Sequence, residues 1–96
     1  MYASVRRYKG VDPGLFDEVE RNRESLETTM RRAPGFRAWY LIRTGDGMTT
    51  VTLCDEQAGA EESVRLAAGW LKENMPNMAL NPPEVSNGEV VLQIGG

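Results

Sequence analysis

A chain of 96 residues reads as one domain, 1–96, and a fold of that size buries only about two-thirds of the surface its unfolded chain exposes. Eleven Lys and Arg against fourteen Asp and Glu leave a net charge of −3, which argues against a protein built to neutralise nucleic-acid phosphates. The absence of histidine excludes Ser-His-Asp and Cys-His nucleophiles and haem held by a proximal histidine. With a single cysteine it also leaves too few ligands for an ordinary zinc site, so neither metal nor cofactor is expected.

The first segment, YASVRRYK, sets Tyr2, Ser4, Arg6 and Tyr8 against Ala3, Val5 and Arg7, an alternation with the aromatic and β-branched content of a strand. Arginines so near the start stand where a signal peptide would be apolar, and the lone Cys54 can close no disulfide within the chain. A cytoplasmic protein is expected. No apolar run approaches the ~18 residues of a membrane span.

Asp12 and Pro13 then open a helix, Asp12 as the cap and Pro13 at the first helical position. Leu15, Val19, Leu26, Met30 and Ala33 fall at helical spacing, with Asn22 filling the gap in the stripe. Pro34-Gly35 ends it. The stretch PGFRAWYLIRTGDGMTTVTL is a hairpin, with Asp46-Gly47 as the turn signal.

After Asp55, Ala60, Val64, Ala67, Leu71 and Met75 mark a second amphipathic helix, with Trp70 at the edge of its stripe. Pro76, Pro82 and Pro83 make 76–83 a loop, a lid over a cleft or a reach toward a partner, and EVVLQI reads as the last strand. The order is β-α-β-β-α-β: an α+β, ferredoxin-like fold with both helices on one face of a four-stranded antiparallel sheet.

A two-residue Asp46-Gly47 turn pairs Ile42 with Val51 and Tyr40 with Leu53. One face then holds Phe36, Ala38, Tyr40, Ile42, Val51 and Leu53, uniformly apolar and expected under the helices. The other holds Trp39, Leu41, Arg43, Thr50, Thr52 and Cys54, too apolar for water and too polar for a dry core. A two-fold dimer covers such a face, so Trp39, Leu41, Arg43, Thr50 and Thr52 are the expected dimer interface.

With "APGFRAWYLI", the "GDG" turn and "DEQAGAEESVRLAAGWLKEN" in this order, the chain resembles, over essentially its whole length, the antibiotic biosynthesis monooxygenase-like family of dimeric α+β barrels. The resemblance implies that fold and a homodimer. The family's activities span cofactor-independent oxygenases of polyphenolic rings, haem-degrading enzymes that ligate iron through a His, and proteins of no known activity. Its haem branch has no ligand here. Its quinone-forming branch uses an Asn, a Trp and a Tyr around an aromatic substrate, and Asn22, Asn74, Trp70 and Tyr40 are the residues of those types available, without a match to the family's positions residue by residue.

Each candidate also has a structural explanation. Asn22 in an apolar stripe needs a backbone or ligand partner. Trp70 is either core or the wall of a pocket, and Tyr40 needs a partner for its hydroxyl if buried. Arg6, Arg7, Arg37 and Arg43 pair with the surplus acids or select an anion. Cys54 has no basic neighbour to activate it and reads as a small hydrophobe. The RNA-recognition modules that share this strand order stack bases on aromatics of the bare sheet, and MTTVTLCD has none, so no nucleic acid is expected. The expectation is a homodimeric barrel binding a small apolar or aromatic molecule between sheet and helices. The alternative is a cofactor-independent monooxygenase of an electron-rich, polyphenol- or quinol-type aromatic.

Overall fold

The computed structural model describes residues 1–78 and 80–95; Ala79, within the loop read as 76–83, and Gly96 lie outside them. Its elements are β1 (Tyr2–Lys9), α1 (Gly14–Arg21), α2 (Arg23–Met30), β2 (Phe36–Thr44), β3 (Gly47–Cys54), α3 (Gln57–Asn74) and β4 (Glu84–Glu89). All strand pairs are antiparallel, in the order β2-β3-β1-β4, the ferredoxin-like arrangement. The core joins Leu15, Val19, Leu26 and Met30 of α1 and α2 to Ala67 and Trp70 of α3 and to Tyr8 and Met48 of the sheet. Among the described residues no helix is long and apolar enough to cross a membrane.

The expected first helix is two helices. Asp12 accepts the Gly14 N–H through Oδ1 at 2.8 Å and so serves the helix start, although α1 begins at Gly14 with Pro13 in the cap position rather than Asp12. The break comes at Asn22, which leaves helical geometry at φ −103°, ψ 22°. Its Nδ2 donates to the Glu18 carbonyl at 2.8 Å, a side-chain bond that competes with the regular ladder and lets the axis bend. The Leu26 N–H still reaches the Asn22 carbonyl, so α2 resumes at once. Both halves keep their apolar stripe on the sheet.

The hairpin departs further from expectation. Its two-residue loop is Gly45-Asp46, with Thr44 opposite Gly47, so Tyr40 pairs with Val51 and Ile42 with Thr49. A shift of two residues leaves Ala38, Tyr40 and Ile42 on their own side of the sheet, but an irregularity between Phe36 and Ala38 sets Phe36 opposite the buried Cys54, where it packs against the core instead. The covered side is nevertheless the opposite of the one its apolarity suggested. Met48, Thr50, Thr52 and Cys54 are buried, and Trp39 and Leu41 pack against the core, whereas Tyr40 and Ile42 are 52% and 46% exposed.

The physical reason lies on β1, where Ser4, Arg6 and Tyr8 also face the helices and are buried. A strand that buries an arginine needs neighbouring strands that bring hydroxyls, and the face with Thr50 and Thr52 supplies two that accept from Arg6. The interface assignment of Trp39, Leu41, Arg43, Thr50 and Thr52 is corrected accordingly. Trp39, Leu41, Thr50 and Thr52 lie on the helix side, and the Arg43 guanidinium sits 4.5 Å above the ring of Phe16 from α1. The uncovered face is the aliphatic one.

In α3 the buried side is Gly59, Ala60, Ser63, Ala67 and Trp70, so Trp70 is core rather than edge, while Val64 and Leu71 flank it half-buried. A side chain at Gly59 would meet the Pro34 carbonyl at 1.9 Å, which is why α3 can pass so close to the turn before β2. The last strand is Glu84–Glu89 rather than EVVLQI. After Pro83 the chain meets β1 at once, Glu84 opposite Arg7, and an exposed, mostly polar edge strand suffices there. Val91, Leu92 and Ile94 follow without a strand and are largely exposed.

Candidate functional site

On the helix side of the sheet the central feature is Arg6, which is fully buried. Its Nε donates to Thr50 Oγ1 at 2.9 Å and its Nη2 to Thr52 Oγ1 at 2.8 Å. Its Nη1 donates to Ser4 Oγ at 3.1 Å and to Ser63 Oγ at 3.2 Å. Ser63 in turn donates to the Ala60 carbonyl at 2.6 Å. Antiparallel register explains the set: Arg6 stands opposite Thr50 and Ser4 opposite Thr52, and α3 lays Ser63 across them.

All four acceptors are neutral, and no carboxylate among the described residues pairs with Arg6. Removing a lone cation from water carries a penalty of several kcal/mol, and each hydrogen bond to a charged group returns about 1.5–3 kcal/mol. The hydroxyls therefore hold the guanidinium without cancelling its charge. A guanidinium carries five N–H groups, and four are committed here. Burial lowers the Arg6 pKa, with Tyr8 and Cys54 opposing, yet arginine stays protonated. Burial also pushes the Tyr8 phenol up, with Arg6 opposing. It pushes the Cys54 thiol up as well, Asp55 adding to it and Arg6 opposing.

Arg6 and Tyr8 line the inner end of a groove of about 640 Å³ between α3, the loop after it and the start of β4. Its walls are apolar, chiefly Val64, Leu71, Met75, Met78 and Leu80, with Lys72 and Asn81 as further polar groups. The loop read as lid or reach thus lies along this cleft. A second groove, about 730 Å³, separates α1 and α2 from the edge strand β2. Charged side chains, Glu20, Arg23, Glu27, Arg31 and Arg43, crowd it. Two of its rings are already covered, Phe16 by Arg43 and Phe36 by Arg31 at 5.6 Å. Buried Trp39 Nε1 has no partner among the described residues. Between the grooves, beside Tyr8, Trp39 and Trp70, the core leaves only about 20 Å³, on the order of one water.

The sequence candidates do not converge. Asn22 sits at the α1–α2 break, bonded to the Glu18 carbonyl, and Asn74 lies exposed at the end of α3, its Nδ2 donating to the Trp70 carbonyl at 2.9 Å. Trp70 is core, its Nε1 donating to Ser25 Oγ at 3.0 Å. Tyr40 is half exposed and lies along the second groove, the one beside β2. Of the strand arginines, Arg7 pairs with Glu84 and Arg37 with Asp55, and Arg43 covers a ring. Arg6 alone is buried without an acid. Its signal was present in the alternation Ser4, Arg6, Tyr8, a polar side in a central strand, matched by Thr50 and Thr52 on another. Among the described residues no three Cys, Asp or Glu gather as a metal site.

No protein-family model matches the chain, and no curated protein sequence does. Solved structures do match in fold. The haem degrader MhuD of Mycobacterium tuberculosis, solved with two haems in its active site, superposes with TM-score 0.70 at 19% identity over 99% of this chain and all of that one. A putative antibiotic biosynthesis monooxygenase from Bordetella bronchiseptica gives 0.67 at 22% over 95% and 97%. A dimeric ferredoxin-like protein from an uncultured marine organism gives 0.75 at 12% over 99% and 98%. The chain has the fold of the antibiotic biosynthesis monooxygenase-like proteins, as the sequence resemblance implied.

Proposed function

We propose that this chain is a homodimeric α+β barrel protein that binds a small apolar or aromatic molecule between sheet and helices, in the groove bounded by α3 and the loop 75–83. The observation that carries the reading is that groove itself: apolar side chains wall about 640 Å³ and lead to two polar residues, Arg6 and Tyr8, at the inner end. Small-molecule sites have this build, an apolar body with a few placed polar groups.

The homodimer is supported by the exposed Tyr40 and Ile42 on the uncovered sheet and by the exposed Val91, Leu92 and Ile94. A second copy over that face would bury at least ~1,200 Å² in total, as specific association requires. The marine ferredoxin-like neighbour is described as dimeric. Cys54 as a buried free thiol suits the reducing cytoplasm. The oxygenase alternative calls for polar groups gathered about a ring, and neither groove, nor the small void between them, is lined by more than one of Asn22, Tyr40, Trp70 and Asn74; binding without chemistry is the reading adopted.

Native mass spectrometry of the protein purified from its host tests this reading. The expected spectrum is a dimer mass with an added small-molecule mass that is lost on denaturation. A bare monomer at micromolar concentration overturns it. Oxygen uptake above buffer with a panel of hydroquinones would replace it by the oxygenase.

A further inference from the structure

We propose that the molecule taken up in this groove is an organic acid, an apolar or aromatic body carrying one anionic oxygen group that sits against Arg6. The inference rests on the binding role just proposed and adds the charge of the ligand. Its ground is the state of Arg6: a guanidinium with no solvent exposure, four hydrogen bonds to neutral hydroxyls, no carboxylate among the described residues, and a place at the inner end of an apolar groove.

Buried cations are ordinarily paired. Among the described residues every ion pair that involves an arginine lies at the surface, Arg7 with Glu84, Arg21 with Glu18, Arg31 with Glu27, Arg37 with Asp55 and Arg65 with Glu62. Fourteen acidic residues were available to the chain, and none of those described meets the arginine that is farthest from water. Its uncommitted N–H and its uncancelled charge together suit an anionic oxygen, and arginine binds carboxylates through paired N–H donors.

The hydroxyls extend the same argument. Ser63 has donated its proton to the Ala60 carbonyl, while the hydroxyl protons of Ser4, Thr50 and Thr52 have no acceptor among the described residues. A carboxylate against Arg6 would give the cluster an acceptor, and because Arg6 has no solvent exposure the groove wall above it must shift to admit one. A neutral ligand of the same shape would leave both charge and protons as they are. The apolar walls, Val64, Leu71, Met75 and Leu80, take the rest of the molecule.

The test uses a matched pair of probes, 2-naphthoate and 2-naphthamide, titrated calorimetrically into the full-length protein. The expected result is that naphthoate binds about tenfold more tightly, the equivalent of one charge-assisted contact. Arg6→Gln should bring the two within about twofold of each other, with its fold checked by circular dichroism. Should that variant not fold, the ¹⁵Nε resonance of Arg6 in the unaltered protein serves instead: it should shift with naphthoate and stay in place with naphthamide. Equal affinities, a preference that survives Arg6→Gln, or an unmoved Arg6 resonance overturns the inference while leaving the pocket standing. Binding of neither probe removes the pocket reading and this inference together.

Discussion

Arg6 Nη2 donates to Thr52 Oγ1 at 2.8 Å between two buried side chains of neighbouring strands. Thr52 stands opposite Ser4 rather than Arg6, so the contact is a diagonal one, which a long side chain can span. It makes a threonine on a central strand an acceptor for a cation rather than a surface residue.

Thr52→Val keeps the shape of the side chain and removes that acceptor, leaving a buried charged N–H unpaired. The expected cost is about 2 kcal/mol, read as a lowered urea midpoint with an unchanged slope. Adding Arg6→Met should recover part of the loss, because an apolar cluster no longer has a charge to solvate. A double variant whose loss equals the sum of the singles would mean that the two residues do not interact.

Leu41 and Ile42 are neighbours in β2 on opposite sides of the sheet, Leu41 packed on the core and Ile42 half in solvent. Leu41→Glu should leave no cooperatively folded protein, since it buries an unpaired carboxylate. Ile42→Glu should fold, and in the dimer proposed above it should shift sedimentation from dimer to monomer at micromolar concentration. The reverse pattern would restore the opposite assignment of faces.

That assignment shows where the sequence is legible and where it is not. The order of elements follows from local signals, Asp12 before a stripe of apolar residues, Pro34-Gly35 after it, alternation in 36–53, and the structure repeats it. Which side of the hairpin is covered depends on a third strand. Thr50 and Thr52 look solvated until Arg6 is laid beside them, and no periodicity within the hairpin carries that information. Asn22 is the gap in the helical stripe, but a gap reads equally as a buried amide or a break. Its bond to the Glu18 carbonyl decides for the break. EVVLQI has the better strand composition, yet Glu84–Glu89 becomes β4 because the preceding loop delivers it to β1 first. The candidate site was illegible for the same reason as the face: Arg6 acquires its meaning from Ser4, Thr50, Thr52 and Ser63, on three elements.

Two glycines of α3 should respond in opposite directions to the same change. At Gly59 a methyl group would press on the Pro34 carbonyl at 1.9 Å and on Cys54 Cβ at 2.9 Å, and backbone cannot yield as a side chain would. Gly59→Ala should cost about 3 kcal/mol. At Gly69 nothing lies within 4 Å, so Gly69→Ala should add about 0.5–1 kcal/mol through helix propensity alone. Thermal unfolding of the two variants beside the parent checks both signs, and a tolerated Gly59→Ala would show that α3 does not pass so close to Pro34.

Alkaline pH should weaken the fold through Cys54 and Tyr8, whose pKa values burial raises. In the unfolded chain the thiol ionises near its ordinary value of about 8.5 and the phenol near about 10. The folded chain holds both protons to higher pH, so above those values the unfolded state binds fewer protons and stability falls as pH rises, by at most about 1.4 kcal/mol per pH unit for each group. Below pH 8 neither group contributes a slope. Urea midpoints measured from pH 7 to 10 should therefore be level and then decline, and Cys54→Ala should remove the first part of the decline while leaving that due to Tyr8. Stability that climbs between pH 8.5 and 10, or a Cys54→Ala variant with an unaltered profile, would place the thiol in water rather than behind Gly59, where the structure has it.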